Sequence, residues 1–363
     1  MNQDLVHPLV SSSTGNLLNL FRTYGCEAKF VPRALLLLTM TMFRLPMRWV
    51  AAARYSGRIR RQKIEPPPIF IIGHWRSGTT HLQNLMSRDP QFARVTLLQA
   101  AMPHEFLILP DSMRGRIGGM LPPTRLMDNV PVAADVPWEE ELALTSVGRL
   151  SFYHVSFFPK RMGRIFDEAV LFSNGDAELI DIWRRQYLHF LRKVQLEQPG
   201  LPLLLKNPAN TARIVLLKEM FPGCRFIHIH RDPYKVFVSS VHLYLKAQEA
   251  WGLQATDRDL VVRHVLDSYP MLMDAFFAQR DVLGDGELVD VGFRSLQEDP
   301  IGTLANIYSE LGIGGFDAAV PHFEDYVDSQ RDYKKNRLPL AANEKDAVSQ
   351  RWKGVFDRLG YPV

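Results

Sequence analysis

The stretch Ile69-Phe70-Ile71-Ile72-Gly73-His74-Trp75-Arg76-Ser77-Gly78-Thr79-Thr80 limits what this chain can fold into more than any other. Four apolar residues, three of them β-branched, predict a short buried strand. Leu82, Leu85 and Met86 then recur at helical spacing. A strand, a turn framed by two glycines and a helix N-terminus, in that order, make a cradle whose backbone N–H groups face an anion. A nucleotide triphosphatase carries a lysine after the second glycine. Thr79 stands there instead, and the cation has moved inside the loop as Arg76. Such a loop can hold a phosphate but lacks the group that reaches a β/γ-phosphate pair.

Two further strands follow the same plan. Leu203-Leu204-Leu205-Lys206-Asn207-Pro208 reads as a buried strand ending in a cation and a turn, with a helix over Thr211–Met220. Arg225–His230 predicts the next strand and leads into Arg231-Asp232-Pro233. Strand, helix, strand implies a parallel sheet with right-handed crossovers, and ligands bind such sheets at the carboxyl ends of their strands. The expected fold is α/β: a P-loop-like, three-layer arrangement with a central parallel sheet flanked by helices, plus a helical N-terminal extension. The 363 residues divide on this reading into a basic, apolar extension over 1–65 and an α/β domain over 66–363, with Pro66-Pro67-Pro68 as the connector. Cys26 and Cys224 fit a reducing compartment and give no metal-ligand spacing.

Charge is uneven. Residues 1–65 hold ten lysines and arginines against Asp4, Glu27 and Glu65, a balance of +7 in a chain whose net charge is +4. A basic leader points to an anionic surface. The opening residues lack a basic n-region and do not read as a secretory signal. The uncharged run between Arg33 and Arg44 is ten residues, about half of what crosses a bilayer. Two readings of residues 31–61 stand side by side: an interfacial helix pair, or helices packed on the core.

Residues 91–137 carry six prolines and predict an irregular, substrate-facing insertion. Trp138-Glu139-Glu140-Glu141-Leu142-Ala143-Leu144 predicts a helix start, and Leu179–Val194 an amphipathic helix. The chain reads as helical from Ser240 to about Val282, broken near Trp251–Gln254; Leu288–Val291 predicts a strand, and the tail carries the basic run Arg331–Arg337.

The combination of motifs resembles the sulfotransferases that use 3′-phosphoadenosine 5′-phosphosulfate, and among them the bacterial sulfotransferase-family proteins. It rests on the Arg76-Ser77-Gly78-Thr79-Thr80 loop, the Leu205-Lys206-Asn207-Pro208 turn, the Phe221–Pro233 run and Ser239, eight residues after Arg231. Roughly three quarters of the chain, Pro66 to Asn336, is covered. The resemblance implies that Arg76, Ser77, Gly78, Thr79 and Thr80 hold the 5′-phosphosulfate. Arg231, Ser239, Lys334, Lys335 and Arg337 would hold the 3′-phosphate, and 3′-phosphoadenosine 5′-phosphate would be the product. A donor phosphorylated at both ends needs two anion sites, and arginine suits each because its planar fork donates bidentately. The competing reading of Arg231 is a salt bridge with adjacent Asp232, and of the tail a solvated face.

Transfer would be in-line, with Arg76, Thr79 or Lys206 stabilising the leaving oxygen and no metal required. A histidine or glutamate serves as base in related enzymes. The glutamate of the tyrosylprotein class has no counterpart here, since Val95-Thr96-Leu97-Leu98-Gln99 contains no acid. The candidates are His104, Glu139, Glu140 and Glu141, with His81 behind them, and Glu139 or Glu141 is preferred to His104; first-turn helix charge and a satisfied loop histidine are the bland alternatives. Asp128 and Asp135 read as turn residues, and His228 and His230 as core or supporting groups. The expected acceptor is a hydroxyl or amine of a hydrophobic, lipid-like molecule, the expected place cytoplasmic and peripheral on the inner membrane face. A dimer stays open. Two other classes compete: a P-loop kinase or nucleotide triphosphatase, which needs the missing lysine, and a non-catalytic membrane- or nucleic-acid-binding protein, which needs its cations spread over one face. Here they sit singly at strand ends, so no nucleic acid is expected.

Overall fold

A computed structural model describes residues 7–124, 131–330 and 338–363. Lys334, Lys335, Arg337 and Asp128 lie outside the described residues. The chain divides into two compact units, Met1–Lys63 with Val95–Pro199 and His242–His264, and Ile64–Arg94 with Gly200–Val241 and Val265–Val363.

The second unit holds a sheet of five parallel strands: β1 (Ile69–Ile72), β2 (Ala93–Arg94), β3 (Leu203–Lys206), β4 (Arg225–His230) and β5 (Leu288–Gly292). Their spatial order is β2-β3-β1-β4-β5, so β1 lies at the centre, with Ile71 opposite Lys206 on one side and Ile227 on the other. Because side chains alternate along a strand, β1 serves both faces. Ile69 and Ile71 join Leu82, Leu85 and Met86 of the helix Thr79–Met86, together with Leu304, Ile307 and Phe323 from two later helices, in one core. Phe70 faces the other way, stacked on Phe226 at 5.5 Å and tilted against Phe221 at 5.8 Å. On that same side His228 stacks on Phe276 at 3.9 Å and its Nδ1 meets Asp290 Oδ1 at 2.7 Å across the β4–β5 pair. Asp290 in turn accepts from Arg280 at 2.7 Å. Each fully buried side chain of this kind stabilises by roughly 1.5–3 kcal/mol.

The first unit is built from helices. Val31–Phe43 and Leu45–Arg61 are followed by Leu97–Ala101, Asp111–Gly119, Glu140–Val147 and Ala177–Glu197. The start of Leu45–Arg61 is tied to the segment after Leu97–Ala101 at Glu105, which is fully buried and accepts from Arg44 Nη2 at 2.9 Å and Arg48 Nε at 2.8 Å. Trp183 stacks on Tyr187 at 4.6 Å inside Ala177–Glu197.

Two local readings differ from the sequence. The insertion over 91–137 contains β2 and two helices, the first opened by a capping box in which Thr96 accepts from Gln99 N–H and Gln99 returns the bond. The helix expected from Thr211 starts at Ile214, because Pro208–Ala212 forms a 3₁₀ turn capped by the Asn207 side chain.

Candidate functional site

At the carboxyl end of β1 the loop needs its glycines. Gly73 has φ 133° and sits so close to β4 that an added Cβ would lie 2.2 Å from the Ile229 carbonyl oxygen. Its N–H donates to Thr211 Oγ1 at 2.8 Å, tying the loop to the turn after β3. Gly78, at φ 111°, caps the helix Thr79–Met86, and a Cβ there would strike Phe293 Cδ2 at 2.2 Å. Between them His74 is buried, its Nδ1–H donates to the Trp75 carbonyl at 2.8 Å, and its ring packs edge-on against Tyr269 at 4.7 Å. Ser77 and Thr79 are buried, and Arg76 and Thr80 half-buried.

Arg76 adopts φ 72°, a left-handed backbone that a side chain disfavours. Its Nε donates to Ser239 Oγ at 2.8 Å, and its carbonyl oxygen accepts from Arg231 Nη1 at 3.3 Å. The three residues named from motifs 155 and 163 positions apart therefore meet within one hydrogen-bonded group. The Arg231 guanidinium lies 4.7 Å over the Phe293 ring. Burial, and then the neighbouring Arg76 charge, pull Arg231 below the usual guanidinium value. Asp232 does not pair with it. That carboxylate accepts from Tyr234 N–H at 2.9 Å and stands 3.9 Å from Lys235 Nζ, and among the described residues Arg231 has no ion pair with a carboxylate. Lys206 is buried at the carboxyl end of β3. Arg76 and Arg231 thus meet beside the N-terminus of Thr79–Met86, an arrangement whose charge suits an anion.

The base candidates belong to the first unit. Glu140 and Glu141 are fully buried in the first turn of Glu140–Val147: Glu140 Oε1 accepts from Tyr187 Oη at 2.7 Å, and Glu141 Oε1 from Phe152 N–H at 2.6 Å. Glu139, at the N-cap, keeps 8 % of its surface exposed. His104 Nε2 lies 3.2 Å from the Ser146 carbonyl, and burial, followed by the Arg48 charge, pushes its pKa down to about 4. It lines a cavity of about 360 Å³ with Val147, His189 and Phe190. Asp135 stands in a turn, and His81 packs edge-on against Phe293 at 6.2 Å.

Residues 67–318 match the profile of the Sulfotransferase family. The chain is 31 % identical over 307 residues to Omega-hydroxy-beta-dihydromenaquinone-9 sulfotransferase Stf3 of Mycobacterium bovis, an alignment covering 85 % of this chain and 78 % of that protein. The chain belongs to the sulfotransferase family. Its fold is that of the sulfotransferase STF9 from Mycobacterium avium, at a TM-score of 0.67 and 16 % identity over 97 % of this chain and 98 % of the other. STF1 from Mycobacterium tuberculosis H37Rv gives 0.66 and 19 % over 94 % and 90 %.

In this sulfotransferase two contributors to the anion site escaped the sequence reading. Thr211 was visible only as the start of a helix, yet its hydroxyl anchors Gly73. Phe293 follows β5 directly and forms a floor shared by Gly78 and Arg231. The one local signal for it is the strand end itself, since residues just past a parallel strand's carboxyl end face the ligand.

Proposed function

We propose that this sulfotransferase moves a sulfuryl group from 3′-phosphoadenosine 5′-phosphosulfate to a hydroxyl of a hydrophobic, lipid-like acceptor. The observation that supports the donor is the cluster of Arg76, Ser239 and Arg231 beside the Thr79–Met86 N-terminus, in which Arg231 has no carboxylate partner among the described residues. Arg76, Ser77, Gly78, Thr79 and Thr80 would hold the 5′ end. Arg231 and Ser239 would hold the 3′-phosphate, and we keep Lys334, Lys335 and Arg337 as further 3′ contacts. The acceptor class is supported by the relative Stf3, whose name specifies a hydroxylated dihydromenaquinone. Two free cysteines, Cys224 among them buried, support a cytoplasmic location.

When bound, the donor supplies a sulfur whose bond to the 5′-phosphate oxygen breaks as the acceptor oxygen attacks in line. Arg76, Thr79 and Lys206 stabilise charge on that departing oxygen, each well-placed donor contributing roughly 3–4 kcal/mol. Glu139 receives the acceptor proton on this reading. It is preferred because it keeps 8 % of its surface exposed, whereas Glu140 and Glu141 are fully buried and accept from Tyr187 Oη and Phe152 N–H.

Thermal-shift titration tests the donor. The 3′,5′-bisphosphate at a hundred times its dissociation constant should stabilise the protein by about 2.7 kcal/mol, and Arg231→Ala should weaken that binding. Stabilisation by ATP with magnesium and none by the bisphosphate would sink the reading in favour of phosphoryl transfer. For the base, Glu139→Gln should slow turnover at saturating donor by about 10²-fold or more while leaving bisphosphate binding unchanged. Loss in His104→Ala with a full rate in Glu139→Gln would move the role to His104.

A further inference from the structure

The helix pair Val31–Phe43 and Leu45–Arg61 shows both of its expected faces at once. At 100° per residue, Ala34, Leu37 and Thr41 share one side of the first helix and are buried, while Val31, Leu35 and Met42 fall within a separate sector of about 40° and are exposed. Phe43, at the end of the first helix, is 77 % exposed, and past the bend Trp49 is 68 % exposed, with Val50 next to it in sequence. So many large apolar side chains left facing solvent on one helix pair mark an interaction surface.

Charge on the same pair is divided. Neither helix contains an acidic residue. Three arginines of the pair are engaged within the unit, Arg44 and Arg48 sharing Glu105, while Arg33 donates to the Gly252 carbonyl at 2.9 Å. Arg54, Arg58, Arg60 and Arg61, at the end of the second helix, are exposed and pair with no carboxylate among the described residues. No single described helix is long and apolar enough to cross a membrane, and the two are bent by 42° relative to each other.

We propose that this face docks in the plane of an anionic lipid surface. Leu35, Met42, Phe43 and Trp49 enter the boundary between headgroups and acyl chains, and the four C-terminal arginines meet the lipid phosphates. An apolar stripe that ends in uncompensated arginines, with tryptophan at the junction, is complementary to such a boundary in both polarity and charge. Another protein surface would need matching acidic groups beside an apolar patch; a bilayer of acidic lipids presents both everywhere. This goes beyond the donor and acceptor assigned above and does not rest on them.

The test is co-sedimentation of the full chain with sucrose-loaded vesicles, without donor or acceptor, so that it stands or falls apart from the transfer reaction. Vesicles of phosphatidylcholine with phosphatidylglycerol should bind at least about tenfold more tightly than phosphatidylcholine alone, and raised salt should remove the difference. The double variant Phe43→Glu/Trp49→Glu should lose binding to both compositions. Arg60→Glu/Arg61→Glu should lose only the preference for acidic lipid. All four positions are exposed, so both variants should melt as the parent does, and a variant that melts lower is replaced by Phe43→Ser/Trp49→Ser. Equal sedimentation with neutral and acidic vesicles, or parental binding by both variants, overturns the proposal. So does a dimer in light scattering that Trp49→Glu dissolves while vesicles are not bound.

Discussion

Arg76→Ala should leave the protein folded and lower sulfuryl transfer at saturating donor by about 10²- to 10³-fold, the effect of removing one preorganised donor from a developing negative charge. A non-glycine residue at φ 72° costs about 1–3 kcal/mol, and it persists only where its surroundings hold it. Here Ser239 Oγ accepts from Arg76 Nε–H and Arg231 Nη1 donates to the Arg76 carbonyl, so strain and cation are fixed together. Arg76→Gly separates the two. Glycine relieves the left-handed strain, so this variant should melt no lower than the parent and still be as slow as the alanine variant. Single-turnover rates and melting curves read both quantities. A glycine variant that retains transfer would show that the loop backbone, and not the guanidinium, stabilises the departing oxygen.

Gly73→Ala should do the opposite, damaging the fold first. The added methyl would meet the carbonyl oxygen of Ile229 at 2.2 Å, a backbone atom of a central strand that cannot turn aside, and φ 133° is closed to alanine as well. A loss of about 4 kcal/mol or more is expected, a fall in melting temperature of roughly 10 °C. Gly57→Ala is the control. That glycine lies within Leu45–Arg61 with open space around its Cβ position, and alanine there should raise stability by roughly 0.5–1 kcal/mol. Equal melting of the two variants would show that the close approach of β1 and β4 relaxes at little cost.

How much of this was legible before the structure follows from where each signal resides. β1 and β3 were readable as apolar runs buried on both faces, and β4 from its alternating Phe226-Ile227-His228-Ile229-His230, each closed by a loop with its own chemistry. β2 was not, because two residues carry no period. The Leu97–Ala101 helix had a signal in Thr96 and Gln99 that the surrounding prolines masked. Arg76, Arg231 and Ser239 were named from motifs, but their meeting depends on the parallel register of β1 and β4, which no local pattern encodes. Phe293 is the limiting case: its task is defined by Gly78, more than two hundred positions earlier. For the leader, sequence alone left two readings open, and the helices turn out to bury one side and expose the other.

The central place of β1 has a consequence for synthesis. Ile69-Phe70-Ile71-Ile72 leaves the ribosome early, but its neighbours β3 and β4 begin about 130 and 150 residues later. At a translation rate of about 5–20 residues per second, this strongly apolar segment spends on the order of ten seconds or more with both edges unpaired. Chains interrupted before Leu203 therefore carry a bare template for intermolecular strand pairing. The Gly73–Gly78 loop follows that strand directly, so the segment most exposed to misassembly on the nascent chain is also the one that carries the proposed anion site.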